Sequence, residues 1–158
     1  MTKIIAEIGQ NYDGSLENAI ELIKLAKLSG ADIAKFQIFN PVEIFTEEDN
    51  PWWEYNLANE LSKDDVSKLN AECVKQGIEF MASVFDLERL QWVLDLGVKR
   101  VKIASRSIND QQLIEASVES GKEVIISLGH WNGSIPPYQQ HNNVRHLHCI
   151  SKYPTELA

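Results

Sequence analysis

The segment IIAEIGQN, residues 4–11, decides how the rest of the chain is interpreted. It is a short apolar run that ends at Gly9 and leads into Asp13-Gly14, a pattern typical of a buried strand followed by a turn. One carboxylate, Glu7, falls inside the run, and an ionised carboxylate is costly to bury without a partner. Glu7 therefore either faces a charged or hydrogen-bonding ligand, or lies at a strand end in water or beside a core lysine.

Outward from this strand, the chain alternates strands with helices. Strands are predicted at residues 4–9, 31–37, 79–84, 100–104, 123–128 and 144–150. Helices are predicted to begin after Ser15, Ser62, Asp86 and Asp110, and to end at Gly30, Gly77, Gly97 and Gly121. Residues 38–61 are predicted to be irregular, and tandem prolines oppose a helix between strands five and six. This order predicts βα units around a parallel sheet.

Composition favours one soluble domain. The chain has 158 residues, of which 44% are hydrophobic and 24% charged. A net charge of −8 disfavours nucleic acid or an anionic membrane as a partner. No apolar run approaches the roughly 20 residues that span a bilayer, and no signal peptide precedes the first strand, so we expect a cytoplasmic protein. Cys73 and Cys149 are expected to be reduced and packed.

Polar side chains recur inside the predicted strands, although strands covered on both faces should contain few of them. These residues are Glu7, Lys35, Gln37, Ser83, Lys102, Ser127 and His148. Most lie late in their strands, and parallel α/β folds place their active sites at that end. Lysine and serine side chains suit an anionic, hydroxylated ligand. For each lysine the alternative is a salt bridge to Glu7, or a stem that extends to solvent.

Six segments in register resemble the sialic acid (nonulosonic acid) synthases. They are Ala6-Glu7-Ile8-Gly9-Gln10-Asn11 with Gly14-Ser15, Gly30-Ala31-Asp32 with Lys35-Phe36-Gln37, Gly77-Ile78-Glu79-Phe80 with Phe85-Asp86, Val101-Lys102-Ile103-Ala104-Ser105, Ile125-Ile126-Ser127-Leu128-Gly129, and Leu147-His148-Cys149 through Tyr153-Pro154. The resemblance implies a (β/α)8 barrel fused to a C-terminal antifreeze-like domain. It also implies condensation of phosphoenolpyruvate with an N-acylated hexosamine, aided by a divalent metal such as manganese or magnesium.

The resemblance also assigns the site residues. It implies catalytic roles for Glu7 and Lys102, and substrate-binding roles for Asn11, Lys35, Gln37, Ser83, Ser105, Ser127 and Tyr153. Lysines and serines would hold the phosphate and carboxylate of phosphoenolpyruvate, while Glu7 helps to hold the sugar. The metal would activate the sugar aldehyde for attack by the enol carbon, after which water adds and phosphate leaves.

The chain departs from the family pattern at several positions. Arg106-Ser107 replaces a Gly-Glu pair whose acid contacts substrate, Ala82-Ser83-Val84-Phe85 replaces Ser-Thr-Pro-Phe, and Ser127-Leu128-Gly129 replaces Ser-Thr-Gly. The helix after strand five is missing, and the family's metal histidines belong to strands seven and eight. We therefore expect residues 1–158 to form a single, incomplete TIM-barrel-like α/β domain. It would have about six parallel strands, no metal ligands and no antifreeze-like domain.

Histidines and tryptophans leave alternatives open. His146 and His148 share a predicted strand face and would chelate a metal only with a third group nearby. The alternative is a core histidine satisfied by hydrogen bonds. Trp52, Trp53 and Trp131 lie in predicted loops, where they would serve either as platforms for a sugar or as packing and subunit contacts.

Three functions are compatible with these features. The first is condensation of phosphoenolpyruvate with an N-acylhexosamine by a homo-oligomer that binds neither nucleic acid nor membrane. The second is a catalytically impaired homologue or fragment that binds an anion or a sugar, or serves as an assembly partner. The third is a Schiff-base aldolase that uses Lys102 or Lys35, because a buried lysine loses its proton readily.

Overall fold

A computed structural model describes residues 2–152 and 155–156, and it contains one six-stranded sheet. The strands are β1 (Ile5–Gly9), β2 (Ile33–Ile38), β3 (Glu79–Val84), β4 (Arg100–Ile103), β5 (Glu123–Ser127) and β6 (Val144–Leu147). They lie in chain order, and each pairs in parallel with the next. The prediction of an incomplete TIM-barrel-like α/β fold is confirmed. Among the described residues β1 and β6 each have a single partner, so the sheet is not closed.

Helices connect the strands. They are α1 (Leu16–Leu28), α2 (Pro41–Ile44), α3 (Trp53–Ala58), α4 (Lys63–Gln76), α5 (Leu87–Asp95) and α6 (Gln111–Glu119), with one 3₁₀ turn at Ser105–Ser107. The predicted helix starts are confirmed, because Ser15, Ser62, Asp86 and Asp110 each accept a hydrogen bond from a backbone N–H of the first turn. Ser62 and Asp65 form a capping box. In the described part of the chain, every helix is too short or too polar to cross a membrane.

The main core lies between one face of the sheet and the helices. Phe36 of β2 stacks on Phe80 of β3, with 5.8 Å between ring centroids. Ile23 of α1 and Leu69 of α4 pack into the same core and are fully buried. These helices cover the sheet on that face and hold its strands in register.

The opposite face, which we call the inner face, is arranged in three layers. Near the amino ends of the strands, Arg100 pairs with Glu79 and with Glu123, the latter at 2.6 Å from Nε to Oε2. The middle layer is an apolar cluster of Ile5, Ile33, Met81 and Ile125. The layer at the carboxyl ends is polar. The ion pairs and the apolar cluster thus form a floor beneath the polar layer.

The structure corrects the prediction in three places. Residues 38–61 were predicted to be irregular but contain α2 and α3, which are four and six residues long. Helices this short show too little hydrophobic periodicity to be detected. Strand β6 ends at Leu147 rather than at residue 150, and β2 spans Ile33–Ile38 rather than 31–37. Residues 128–143, all of them described, form turns without a helix.

Candidate functional site

A cavity of about 650 Å³ opens over the polar layer, at the carboxyl ends of the strands. Its polar lining consists of Glu7, Gln10, Lys35, Gln37, Ser83, Lys102, Ser105, Arg106, Ser127, His130 and Ser151. Its apolar lining consists of Phe39, Ile44, Phe45, Phe85, Ala104, Leu147, Cys149 and Ile150. Of the predicted site residues that the structure describes, all except Asn11 line this cavity.

Asn11 lies outside the cavity, and Tyr153 lies outside the described residues. Gly9, with φ of +57°, turns the chain at the end of β1. The Asn11 side chain then donates its Nδ2 hydrogen to the Ile8 carbonyl at 2.8 Å. Gln10 lines the cavity instead. A substrate-binding role for Asn11 remains a prediction without a contact to support it.

Lys102 of β4 is the most deeply buried cation of the cavity, with 7% of the residue exposed. Its ammonium donates to Ser127 Oγ and to the Ile103 carbonyl, each at 2.6 Å. Burial, reinforced by the positive charge of Lys35, lowers the pKa of Lys102 to about 8. The side chain is therefore still mostly protonated at pH 7 but has little solvation, a state that a bound anion would stabilise.

Lys35 of β2 makes the salt bridge with Glu7 that the sequence left as an alternative. The two residues are partners across the β1–β2 ladder. The Lys35 ammonium also donates to Ser83 Oγ at 3.2 Å. Only 12% of the Lys35 side chain is exposed, against 48% of Glu7. Glu7 therefore neutralises Lys35 from the open side of the sheet.

Arg106, in the 3₁₀ turn after β4, adds a cation at the rim of the cavity. Its guanidinium lies 4.9 Å from the centroid of the Phe45 ring and donates to the Ile44 carbonyl at 3.3 Å. Partial burial lowers its pKa from the ordinary value, without making it a group that titrates near neutral pH. Neighbouring Ser105 accepts from the backbone N–H of Gly129 at 3.1 Å and so ties the loops after β4 and β5 together.

The described residues do not fit the divalent metal that the resemblance implies. Within residues 2–152 and 155–156, no group of three or more His, Cys, Asp or Glu side chains is placed to hold a metal ion. His146 pairs with the Pro137 carbonyl at 2.8 Å. His148 was counted among the polar residues of predicted strand six, but β6 ends at Leu147, and Leu147 rather than His148 lines the cavity there.

The tryptophans and cysteines occupy different environments. None of Trp52, Trp53 and Trp131 lines the cavity. Trp131 packs against the main core and donates from Nε1 to the Ile135 carbonyl, whereas Trp52 is 67% exposed. Cys73 is a buried free thiol, and Cys149 is a free thiol that lines the cavity.

Comparison with curated proteins and family models gives consistent matches. The NeuB family model matches residues 22–158. An N,N'-diacetyllegionaminic acid synthase of Legionella pneumophila is 33% identical, over 96% of this chain and 49% of its own length. An N-acetylneuraminate-9-phosphate synthase of Drosophila melanogaster is 30% identical, over 97% of this chain and 46% of its own length. An uncharacterized protein of Methanocaldococcus jannaschii is 35% identical, over 98% of this chain and 48% of its own length. The chain thus spans about half the length of these relatives.

Solved structures give the same result. The N-acetylneuraminic acid synthetase of Leptospira borgpetersenii, in complex with citrate, superposes with a TM-score of 0.85 at 33% identity. That match covers 97% of this chain and 55% of the synthetase. A truncated 3-deoxy-D-arabino-heptulosonate 7-phosphate synthase of Thermotoga maritima has a TM-score of 0.61 at 14% identity, which indicates a shared fold alone.

Proposed function

Because the chain belongs to the NeuB family, we propose that it carries the phosphoenolpyruvate-binding part of a nonulosonic acid synthase. Such an enzyme joins phosphoenolpyruvate to the aldehyde carbon of an N-acylated amino sugar. Relatives named as synthases of diacetyllegionaminic acid and of N-acetylneuraminate 9-phosphate support the reaction class. The assignment to this chain rests on the residues around its cavity.

The observation that carries the proposal is a row of three neighbouring strands that places Lys35, Ser83 and Lys102 together. Ser83 accepts a hydrogen bond from Lys35 and is the ladder partner of Lys102. Phosphoenolpyruvate holds a phosphate and a carboxylate on one carbon, so two neighbouring cations with the Ser83 hydroxyl between them match its charge. A volume of about 650 Å³ lies within the range typical of small-molecule pockets, which supports an aldose as second ligand.

In the proposed reaction, carbon 3 of phosphoenolpyruvate forms a bond with the aldehyde carbon of the sugar, whose oxygen takes up a proton. Water adds to the cationic carbon 2, and the C–O bond to phosphate then breaks. Lys102 and Lys35 hold the anionic groups and stabilise the departing phosphate. Glu7, already oriented by Lys35, accepts a hydrogen bond from the sugar. The described residues hold no metal site, so no step is assigned to a metal.

A ligand-dependent melt tests the anion site. A hundredfold excess of phosphoenolpyruvate over its dissociation constant should raise the free energy of unfolding by about 2.7 kcal/mol. The Lys102→Met variant should lose this stabilisation. Lys99→Met is the matched control, because Lys99 is exposed just before β4 and borders a separate cavity at the opposite end of the sheet. An unaltered chain that phosphoenolpyruvate does not stabilise would overturn the proposal.

One observation favours a second candidate function, a Schiff-base aldolase. At pH 8 about half of a lysine with a pKa of about 8 is neutral and nucleophilic. Lys102 Nζ would attack a keto carbon, water would leave, and an imine would form. With pyruvate as the keto acid, borohydride would reduce this imine to a stable secondary amine on Lys102, measurable as added mass. If no mass is added, condensation remains the proposed function. If an adduct forms on the unaltered chain and not on Lys102→Met, the Schiff-base aldolase replaces condensation as the proposed function.

A further inference from the structure

We propose that Gln10 binds the acceptor sugar through its side-chain oxygen Oε1, and that Asn56 of α3 holds Gln10 in the orientation that this requires. The oxygen would accept a hydrogen bond from a sugar hydroxyl or from the N-acyl N–H. The inference rests on the proposed function, in that it takes an amino-sugar aldose as the second ligand of the cavity.

The orientation of Gln10 follows from a chain of hydrogen bonds that begins at a backbone carbonyl. The Trp52 carbonyl can only accept, so the Asn56 group 3.0 Å away from it is the Nδ2 amide. Asn56 Oδ1 then faces Gln10 and accepts from Nε2 at 3.1 Å. The donor end of the Gln10 amide is thereby occupied. Within the described part of the chain no donor reaches Gln10 Oε1.

The two amides occupy different positions. Asn56 is buried, with 6% of the residue exposed, and lies behind the cavity wall. Gln10 is half-buried and lines the cavity. The Tyr55 hydroxyl donates to the Gln10 carbonyl at 2.8 Å and fixes its backbone. A buried amide without partners is costly, so Asn56 is held in the one arrangement that satisfies both of its ends.

The cavity needs a neutral acceptor of this kind. An N-acylated amino sugar carries several hydroxyls and an N–H that donate, and Glu7, which also pairs with Lys35, cannot accept from all of them. Ser107 stands where the resemblance implies an acidic substrate contact. Fully ionised phosphoenolpyruvate carries no hydrogen-bond donor, so it cannot satisfy Gln10 Oε1. Gln10 should therefore distinguish the acceptor sugar from phosphoenolpyruvate within one cavity.

Calorimetric titration of the full chain tests the contact with N-acetylmannosamine and phosphoenolpyruvate as probes. Gln10→Met keeps the length of the side chain and removes its polar atoms. The dissociation constant for the sugar should rise about two- to tenfold, the range for one neutral hydrogen bond, while that for phosphoenolpyruvate stays unchanged. The sugar group that contacts Gln10 is identified with monodeoxy and deacetylated analogues. The analogue that lacks this group should bind the unaltered chain more weakly than the parent sugar does, by the same factor. Gln10→Met should bind that analogue and the parent sugar with equal affinity.

The positioning role of Asn56 has its own comparison. Asn56→Leu frees the Gln10 amide to rotate, so sugar affinity should fall although Gln10 is intact. Asn59→Leu is the control, because Asn59 is also buried, directly follows α3 and accepts from Gly14 N at 3.0 Å, with no hydrogen bond to Gln10. Both variants should melt at lower temperature, but only Asn56→Leu should lose sugar affinity.

Several outcomes would overturn the inference. They are equal losses for sugar and phosphoenolpyruvate in Gln10→Met, the absence of a matching analogue, or equal losses of sugar affinity in Asn56→Leu and Asn59→Leu. An unaltered chain that binds phosphoenolpyruvate but no aldose overturns this inference and leaves the anion site intact. A chain that binds the sugar through Gln10 but does not bind phosphoenolpyruvate overturns the proposed function instead.

Discussion

Burial in the folded chain disfavours the charged form of Lys102, which is the form that the proposed anionic ligand would bind. Its pKa of about 8 lies below the ordinary lysine value of 10.5, because burial destabilises the ammonium. Between these two values the unfolded chain binds a proton that the folded chain has released. The contribution of Lys102 to the free energy of unfolding therefore rises as pH increases from about 8 to 10.5. The ammonium that we propose binds an anion therefore lowers the free energy of unfolding at neutral pH.

The same titration predicts how phosphoenolpyruvate binding depends on pH. The protonated form of Lys102 binds the anion, and its population in the free protein falls above pH 8. We expect the affinity to be constant from pH 7 to about 8 and then to fall by up to tenfold per pH unit. Titration calorimetry from pH 7 to 9.5 measures this. Lys102→Met should bind weakly at every pH. An unaltered chain whose affinity stays constant to pH 9.5 would contradict the assignment.

Arg106 should act at longer range than Lys102, because it is exposed at the rim. In the part of the chain that the structure describes, no carboxylate pairs with it. Arg106→Gln should weaken phosphoenolpyruvate binding several-fold in dilute buffer. The difference should disappear near 1 M salt, where the Debye length is about 3 Å. Arg145→Gln makes the same charge change away from the cavity lining and should have little effect. Equal losses at both ionic strengths would indicate a direct contact rather than screened attraction.

At the scale of the element, hydrophobic pattern predicted the elements that bury apolar surface. Helix α4 was predicted because Val66, Leu69 and Cys73 recur at helical spacing and Ser62 caps it. Helix α3 was missed because polar contacts hold it. Asn56 and Asn59 bind the loop after β1, and that partnership leaves no periodic pattern. Tertiary hydrogen bonds between distant segments cannot be read from local sequence.

Some residues of the candidate site were predicted from the strands, and others, which lie past the strand ends, were not. Their positions in the predicted strands placed Lys35, Ser83 and Lys102 near one end of the sheet, because parallel α/β folds build their sites at the carboxyl ends of the strands. Gln10 and Arg106 line the same cavity from the segments after β1 and β4. Alternation does not extend past the strand ends, so these two could not be predicted. Alternation does not reach His148 either, because β6 ends at Leu147.

The contact between α3 and the loop after β1 has a glycine at its closest point. Gly14 has φ of +72°, and a Cβ there would lie 2.5 Å from the Ala58 carbonyl oxygen. Gly30 has φ of +86° but no atom within 4 Å of such a Cβ. Both alanine variants carry the backbone strain of about 1–2 kcal/mol, and only Gly14→Ala adds a collision of about 1–3 kcal/mol.

Gly14→Ala should therefore melt roughly 2–12 °C below Gly30→Ala, given about 2–4 °C per kcal/mol for a domain of this size. Differential scanning calorimetry makes the comparison. Sugar affinity should fall in Gly14→Ala alone if α3 shifts and takes Asn56 with it. Two variants with the same melting temperature would show that α3 does not press on this loop.

At the scale of the whole molecule, the open sheet predicts self-association. Strands β1 and β6 have one described partner each, so each presents unpaired backbone groups at an edge. Leu147 and Ile150, beside the second edge, are 42% and 62% exposed. We expect a dimer or larger assembly at micromolar concentration, measured by light scattering. Leu147→Lys should shift the population toward monomer, whereas Leu28→Lys on the far side of α1 should not. A strictly monomeric unaltered chain would contradict this.

Binding and turnover should be separable in this chain. The six strands supply the lysines, but Ser107 stands at the position of a family acid, and the described residues lack a metal site. We therefore expect phosphoenolpyruvate to bind without release of phosphate when N-acetylmannosamine is added to the chain alone. A discontinuous phosphate assay measures this over hours at high protein concentration. Catalytic release that Lys102→Met abolishes would show instead that the chain is a complete catalyst.

The order of the strands also bears on how the protein is made. Among the described residues, each strand after β1 pairs with the strand synthesised immediately before it, so Ile33 meets Ile5 and Val144 meets Val124 without waiting for a later segment. Each pairing closes only the segment between consecutive strands, which costs less chain entropy than pairing strands that are distant in sequence. As the chain leaves the ribosome, each βα unit can therefore dock onto a sheet that already exists, and the sheet grows from its first strand at the pace of translation.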